Sequence, residues 1–150
     1  MKIEEVKLTY RNKLKANERP KITCAEDAYQ AFLKSWDQDQ IELIEEFKAM
    51  FLDRQLRIMS IASISKGGFT DTSVDLRVVF AIALKRRADR IILAHNHPSG
   101  NLKPSQADMN LTEQFVEAGK LMRLEVVDHL IITNDGFSSV IHDTRHLNRN

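Results

Sequence analysis

Apolar residues recur at intervals of three and four along three stretches of the chain, the pattern of helices that bury one face. The first helix is expected over residues 24–36, and Thr23 with Glu26 has the spacing of a capping box at its start. The second follows Asp75 and ends in the basic cluster 85–87. The apolar stripes are Tyr29, Phe32, Leu33 and Trp36 in the first helix, Leu76, Val79, Phe80, Ala83 and Leu84 in the second, and Leu111, Phe115, Ala118 and Met122 in the third.

A twofold alternation of side chains from Leu43 to Leu52 predicts a strand. In that strand Glu45 and Phe47 lie on one side, whereas Glu46 lies on the other. A polar turn at residues 53–55 joins it to a second β-like run, so an antiparallel hairpin is expected. The other predicted strands cover residues 56–64, 91–94, 124–133 and, after the turn Asn134-Asp135-Gly136, residues 137–141.

Helices and strands interleave along the chain without a repeat or an internal linker. This order predicts an α/β fold, a three-layer α/β/α sandwich around a mixed sheet. We expect a single domain over residues 23–142, because 150 residues is a common length for a chain with one core. Residues 1–22 are interpreted as a polar, partly ordered lead-in and residues 143–150 as a polar tail.

Charge and composition narrow the range of partners. The 22 basic and 21 acidic residues leave a formal net charge of +1, so nucleic acid or a membrane would have to be bound by a local patch. The N-terminal residues lack the apolar core of a signal peptide and no apolar run is long enough to cross a bilayer, so a cytoplasmic protein is expected. Cys24 is the single cysteine, which excludes an internal disulfide and a cysteine-rich zinc site.

The strongest candidate for chemistry begins at the end of the buried run 91–94. His95 and His97 are two residues apart, so both imidazoles point to the same side at the end of a strand. Ser105 and Asp108 have the spacing of the first turn of the following helix. Two imidazoles and a carboxylate are the ligands of a catalytic zinc ion with one open position. We therefore predict one Zn²⁺ held by His95, His97 and Asp108 on the loop between strand and helix, where it activates water.

Each of these residues also has a plainer interpretation. Ser105 with an acidic Asp108 is a common N-cap, and loop histidines are usually surface residues. The combination of His-x-His and Ser-x-x-Asp in one strand-loop-helix passage favours the metal site, and a capping serine still presents its hydroxyl there. His129 is predicted to be a buried, hydrogen-bonded histidine rather than a fourth ligand, and His142 and His146 to be surface residues.

Other zinc enzymes fit the sequence less well. Metallo-β-lactamase-like hydrolases need Asp and His at the positions that Ser99 and Gly100 occupy. Barrel amidohydrolases need a longer chain. A nucleoside deaminase needs His-x-Glu and a downstream Pro-Cys-x-x-Cys, whereas Cys24 is alone and upstream.

The segment from His95 to Asp108 resembles a known signature. His-x-His, seven residues and Ser-x-x-Asp form the JAMM motif of the JAB/MPN metalloprotease superfamily, and the intervening Asn96 and Pro98-Ser99-Gly100 are similar to its bacterial RadC branch. The likeness extends from about Glu45 to Ile132. It implies a cytidine-deaminase-like α/β/α sandwich and a zinc ion at the positions that match His95, His97 and Asp108.

The resemblance also implies roles for two further residues. A strand glutamate that matches Glu45 takes the proton from the zinc-bound water and passes it to the leaving amine, and Ser105 matches a serine that stabilises the oxyanion. Glu46 is the alternative base, but strand alternation sends it to the opposite face. Two features depart from the family: the chain gives no room for a helix-hairpin-helix segment, and residues 67–76 lack a His-Pro pair.

The sequence thus predicts a zinc-dependent hydrolase with a peptide or isopeptide substrate. The alternative is a binding protein, associated with DNA repair or a mobile element, that uses the fold without peptidase turnover. Its phosphate contacts would come from the basic lead-in, the cluster at residues 85–90 and Lys103. Because the total charge is balanced, these basic residues are better interpreted as solvated faces. The sequence does not predict an oligomeric state.

Overall fold

The computed structural model describes residues 1–68 and 73–142. Within these described residues, a short 3-10 helix at Ala16–Glu18 is followed by three α-helices and five strands, and residues 140–142 are also helical. The helices are α1 (Ala25–Ser35), α2 (Leu76–Lys85) and α3 (Gln106–Met122). The strands are β1 (Glu46–Leu52), β2 (Ile58–Lys66), β3 (Arg90–Asn96), β4 (Glu125–Thr133) and β5 (Gly136–Ser139).

The five strands form one mixed sheet in the order β2-β1-β3-β4-β5. β1 is antiparallel to both β2 and β3, and the register places Phe47 opposite His95. β3 and β4 are parallel, so α3 crosses from one end of the sheet to the other between them. The predicted mixed sheet and α/β fold are confirmed.

Helices cover both faces of the sheet, because alternate residues of each strand are apolar on opposite sides. Phe47, Ala49 and Phe51 of β1 pack with α2 and α3, whereas Met50 and Leu52 pack with α1. The alternation predicted for this strand is therefore confirmed. Burial of each large apolar side chain contributes about 1.5–3 kcal/mol to stability, and Phe32, Phe47, Phe51 and Phe115 are all fully buried.

The three predicted helices are present, with differences at their ends. The N-cap residue of α1 is Cys24, whereas the predicted capping box began at Thr23. Asp27, not Glu26, accepts the hydrogen bonds from the main-chain N–H groups of Thr23 and Cys24, since Glu26 instead accepts one from Gln30. Asp75 caps α2 as predicted, by accepting from the main-chain N–H of Arg77. Two residues of the predicted stripes, Leu84 and Met122, are exposed.

The first two strands begin later than predicted. β1 starts at Glu46 rather than Leu43, because tertiary hydrogen bonds hold the preceding residues in turns: the Asn96 amide donates to the carbonyl oxygens of Ile41 and Ile44. β2 starts at Ile58 rather than Leu56, which has a left-handed φ of 62° in the turn.

The last strand was predicted over residues 137–141, and its predicted C-terminal end is wrong. β5 stops at Ser139, and residues 140–142 are helical. The Ser139 hydroxyl donates to the buried Asp128 carboxylate and accepts from the main-chain N–H of His142, so it caps this turn. The predicted tail at residues 143–150 lies outside the described residues.

The lead-in has no helix or strand over residues 1–15, and its side chains are exposed there. Lys21 forms a β-bridge with Arg57, and the Ile22 N–H donates to the carbonyl of Leu56. The domain limits at residues 22 and 143 stay predictions. Within the described residues, 1–68 and 73–142, no helix is long and apolar enough to cross a membrane.

Candidate metal centre

The predicted ligands come from three successive parts of one strand-loop-helix passage. His95 lies within β3, opposite Phe47, and His97 follows the strand directly. Asp108 is the third residue of α3. The description of all three as loop residues is right only for His97, whereas His95 at the strand end and Asp108 in the first turn of the helix lie where their spacing predicts. His95 is buried, while His97 and Asp108 are partly exposed, so the cluster is reached from the solvent on the His97 side.

The three side chains converge as the sequence predicts. Nε2 of His95 lies 3.2 Å from Oδ1 of Asp108, and Nε2 of His97 lies 3.3 Å from Oδ2. The two Nε2 atoms are 2.9 Å apart. Ligands at about 2.0–2.1 Å from a tetrahedral zinc ion stand roughly 3.3 Å from one another, so these separations suit a shared divalent ion. This trio is a group that can hold a metal ion, with ligand atoms within 4.8 Å of one another.

The side chain of Asp108 is held by the start of its own helix. The Ser105 N–H donates to Oδ2 of Asp108 at 2.8 Å, and the Asp108 N–H donates to Ser105 Oγ at 3.0 Å. This reciprocal capping box fixes the carboxylate toward the strand end. Ser105 Oγ accepts in that contact, so its O–H proton remains available to a neighbouring acceptor. The capping and site interpretations of Ser105 are thus compatible.

Both ligand histidines have their other ring nitrogen occupied. Nδ1 of His97 lies 2.6 Å from the carbonyl oxygen of Asn101, which can only accept, so Nδ1 carries the proton. Nδ1 of His95 lies 2.8 Å from Nε2 of His129. With both Nδ1 atoms as donors, two Nε2 lone pairs face each other and the Asp108 carboxylate. This arrangement is favourable around a cation, which is the physical reason that these residues suit a metal ion.

His129 is fully buried and hydrogen-bonded, as predicted. Its Nδ1 lies 2.6 Å from Oγ1 of Thr112, and that hydroxyl donates to the main-chain carbonyl of Asp108 at 2.7 Å. Phe47 packs its ring parallel to His95 and edge-on to His129. Sequence reasoning missed Thr112, because its contact with His129 joins residues 17 positions apart.

The electrostatics of the cluster favour a charged carboxylate beside basic imidazoles. Burial opposes ionisation of Asp108, but its close contacts with His95 and His97 outweigh that effect and hold the pKa of the carboxyl far below its usual range. Burial likewise lowers the pKa of His97, yet its contact with Asp108 and the hydrogen bond to the Asn101 carbonyl raise it above its ordinary value. Full burial lowers the pKa of His129 well below its ordinary value, so this histidine stays neutral at pH 7.

The two candidate bases, Glu45 and Glu46, have different surroundings. The charge of Glu45 is the smallest of the influences that raise the pKa of His97. Glu46 is buried among Lys48, Ser63 and Lys66, with Oε1 accepting from the Ser63 hydroxyl at 2.7 Å. Glu45 lies one residue before β1, not inside the strand as predicted, and its main chain pairs with residues 67 and 68.

The comparison with known families follows from this geometry. The family model described as RadC-like JAB domain matches residues 22–146. The chain belongs to this family. The resemblance inferred from the segment at residues 95–108 is therefore confirmed, as is the α/β JAB/MPN-type fold.

Curated relatives of this RadC-like domain carry the name UPF0758 protein. The relative from Flavobacterium johnsoniae is 43% identical over 99 residues, which cover 66% of this chain and 43% of the relative. The relative from Thermosynechococcus vestitus is 46% identical over 96 residues, or 64% of this chain and 38% of the relative. The relative from Syntrophomonas wolfei is 42% identical over 96 residues, or 64% and 41%. The chain thus spans about two fifths of these proteins.

Asn96 is a further residue of the RadC-like domain that sequence reasoning did not assign. Its side chain lies between the two ligand histidines in sequence but points to the other face, where Oδ1 accepts from the Glu46 N–H at 2.7 Å. Its amide donates to Ile41 and Ile44, just before Glu45. Asn96 therefore ties the segment that carries Glu45 to the strand that carries His95. The sequence feature that could have pointed to this role is the asparagine between the two histidines of His-x-His.

The remaining candidate residues lie away from the cluster. His142 is exposed, as predicted, and His146 lies outside the described residues. In the basic cluster at residues 85–90, Arg86 donates to Asn12 and to the carbonyl of Met59, and Arg90 donates to Glu125. These two cations are thus engaged within the molecule. The predicted His-Pro departure falls partly on residues 69–72, outside the described residues.

Proposed function

We propose that this RadC-like domain is a zinc-dependent hydrolase of amide bonds in a peptide or isopeptide substrate, with His95, His97 and Asp108 holding one Zn²⁺. The observation that carries the proposal is the convergence of two imidazole Nε2 atoms and a carboxylate, each oriented by a separate partner. An acid held among basic residues only for stability would not need two histidine lone pairs directed at the same point.

The ligand types favour zinc over harder cations. Imidazole and carboxylate together suit Zn²⁺, whereas Mg²⁺ and Ca²⁺ prefer oxygen ligands alone. Three protein ligands leave a tetrahedral ion one open position, which is the arrangement of a catalytic rather than a structural site. His97 is partly exposed, so a substrate could approach the ligand atoms from the solvent on that side.

The chain's own residues then divide the chemistry. A bound zinc ion supplies Lewis acidity and lowers the pKa of water at its open position. Glu45, whose charge already acts on His97, accepts a proton from the attacking water and delivers it to the leaving amine nitrogen. Ser105 donates its hydroxyl proton to the carbonyl oxygen as negative charge develops there. Glu46 takes no part, because Lys48 and Ser63 already neutralise and bind it.

The DNA-binding alternative has less support from the geometry. Arg86 and Arg90 make contacts within the domain, which leaves fewer cations of the basic cluster for phosphate. A DNA affinity that falls steeply with salt, and that is lost when Lys85, Arg87 and Lys103 are neutralised, would support this alternative instead. A salt-independent or unmeasurable affinity supports the hydrolase.

The test combines metal analysis with a cleavage assay on the full chain. Zinc content is measured on freshly purified parent protein, Asp108→Asn and Glu45→Gln. The substrates are a combinatorial peptide library and a lysine-linked isopeptide, with products read by mass spectrometry. We expect zinc in the parent and in Glu45→Gln, little in Asp108→Asn, and cleavage by the parent alone. Equal zinc in Asp108→Asn and the parent would overturn the metal site; a zinc-loaded parent that cleaves neither substrate would overturn the hydrolase.

A further inference from the structure

We propose that His129 and Thr112 are positioning residues that set the tautomer of His95, so that its Nε2 is always the unprotonated nitrogen. That this tautomer serves metal binding rests on the proposed function. Which nitrogen of each histidine carries the proton is a property of the protein alone, so the tautomer can be tested without a metal.

Four groups form a series of hydrogen bonds, from the Asp108 carbonyl through Thr112 and His129 to His95, and the Asp108 carbonyl fixes its direction. The main-chain carbonyl of Asp108 can only accept, so the Thr112 hydroxyl, 2.7 Å away, uses its proton there. Thr112 Oγ1 then has only lone pairs to offer His129 Nδ1 at 2.6 Å, which makes Nδ1 the protonated nitrogen of His129. A neutral imidazole carries one proton, so His129 Nε2 is an acceptor.

The same order of donors and acceptors continues from His129 to His95, the proposed metal ligand. Since His129 Nε2 accepts, His95 Nδ1 at 2.8 Å must donate. The single proton of a neutral His95 is thereby held on Nδ1, and Nε2 presents its lone pair to Asp108 and His97. Reversing the tautomer of His95 would need a donor at His129 Nε2, and Thr112 would then have to turn its hydroxyl proton away from the Asp108 carbonyl to His129 Nδ1.

Burial keeps this order from being replaced by water. His129 is 0% exposed, His95 1% and Thr112 3%, so solvent cannot supply an alternative donor or acceptor. Asp108 lies at both ends of this series of hydrogen bonds. Its main-chain carbonyl accepts from Thr112, and its carboxylate faces His95 Nε2, the nitrogen that the series leaves unprotonated.

His97 provides an internal comparison. Its Nδ1 donates directly to the carbonyl of Asn101 at 2.6 Å, with no side chain between. A change at Thr112 should therefore alter the tautomers of His129 and His95 and leave that of His97 as it was. A general loosening of the site would disturb all three.

The experiment compares Thr112→Val with Thr112→Ser in the metal-free full chain. Val matches the shape of Thr but removes the hydroxyl, whereas Ser keeps it. Long-range ¹H–¹⁵N spectra of ¹⁵N-histidine-labelled protein, at mildly alkaline pH, report which nitrogen of each ring is protonated. In the parent and Thr112→Ser we expect His95 protonated on Nδ1. In Thr112→Val we expect a fraction of His95 protonated on Nε2, with His97 unchanged.

A second readout is zinc affinity, measured by competition with a chromophoric chelator. We expect Thr112→Val to bind zinc about 10–100-fold more weakly, the usual effect of changing a partner of a ligand histidine, and Thr112→Ser to stay near the parent. His95 protonated on Nε2 in the metal-free parent, or unchanged tautomers in Thr112→Val, would overturn the proposal. The parent spectrum decides even where the Val variant does not fold. The expected tautomers in a parent that binds no zinc would support the positioning role and contradict the metal site.

Discussion

The two faces of the sheet carry, at the same end, two acid-containing clusters that are built in opposite ways. On the α1 face, Glu46 is surrounded by Lys48, Lys66 and the hydroxyl of Ser63, and we call these four residues the ion-pair cluster. On the α3 face lies the metal cluster of His95, His97 and Asp108. The Glu46 neighbours bring their own positive charge, since lysine side chains are cations at neutral pH.

Under the proposed function, this difference separates a structural acid from a functional one. Lys48 satisfies Glu46 and also contacts the carbonyl of Ser35 and the ring of Trp36, so the ion-pair cluster is complete within the protein. In the metal cluster, imidazole nitrogens offer lone pairs beside the negative Asp108 carboxylate, and under the proposed function a cation from outside completes it. Glu46 is buried and Asp108 is partly exposed, and the identity of their neighbours decides what balances the charge of each.

The largest expected effect comes from removing the charge of Asp108. Asp108→Asn keeps an oxygen that can accept from Ser105 N–H, so the helix cap should survive, but the ligand loses its charge. Zinc affinity should fall by more than the ~100-fold that a change to a ligand's partner can cost, and hydrolysis should disappear. Chelator competition and elemental analysis measure this. Unchanged affinity would show that the metal cluster is structural, like the ion-pair cluster.

The next test exchanges the two adjacent glutamates. Glu45→Gln should keep zinc and lower hydrolysis by about 100-fold or more, because it removes the proton acceptor. Glu46→Gln should keep both zinc and hydrolysis but lower the free energy of unfolding, by somewhat less than the roughly 3–5 kcal/mol of a broken buried pair, since Ser35 and Trp36 still contact Lys48. The opposite result, hydrolysis lost in Glu46→Gln alone, would reverse the assignment.

A third test breaks the link between the two faces. Asn96→Ala removes the partner of one main-chain N–H and two carbonyls, at Glu46, Ile41 and Ile44. We expect unfolding to become easier by about 3 kcal/mol, because buried polar groups lose their hydrogen bonds. Asn110→Ala, on the exposed side of α3, is the control and should change stability by less than about 0.5 kcal/mol. Chemical denaturation of both variants makes the comparison.

The smallest expected effects come from two serines, one in each region. Ser105→Ala removes the α3 cap and should lower the free energy of unfolding by about 1 kcal/mol, together with a drop in turnover smaller than that of Glu45→Gln, at unchanged zinc content. Ser63→Ala removes one hydrogen bond to Glu46 and should cost a similar amount without affecting turnover. Thermal unfolding and the isopeptide assay measure the pair. Equal turnover in the two variants would remove Ser105 from the proposed chemistry.

The sequence was sufficient where one local pattern determined the result. The alternation along β1 placed Phe47 and Met50 on opposite faces, and the spacing of His95, His97 and Asp108 brought those side chains together. Local rules act over a few residues, so these features need no knowledge of the rest of the chain.

Long-range hydrogen bonds explain what the sequence did not show. β1 starts at Glu46 because Asn96, 50 residues away, holds the preceding turns. Thr112 reaches His129 only after α3 packs on β4. The shorter β5 follows from the contact of Ser139 with Asp128. In each case the partner lies in another element, where neither propensity nor spacing along the chain points to it.

The way in which each ligand is anchored has a consequence for how the domain acquires its ion. Ser105 orients Asp108, Asn101 orients His97 and His129 orients His95, so the polypeptide assembles the donor set by itself. Small zinc modules fold only when loaded, whereas this domain has a core on each side of its sheet. Under the proposed function, stripping and reloading should be reversible, Co²⁺ should enter as a coloured substitute, and cellular zinc supply should govern how much of the protein is active, not how much is folded.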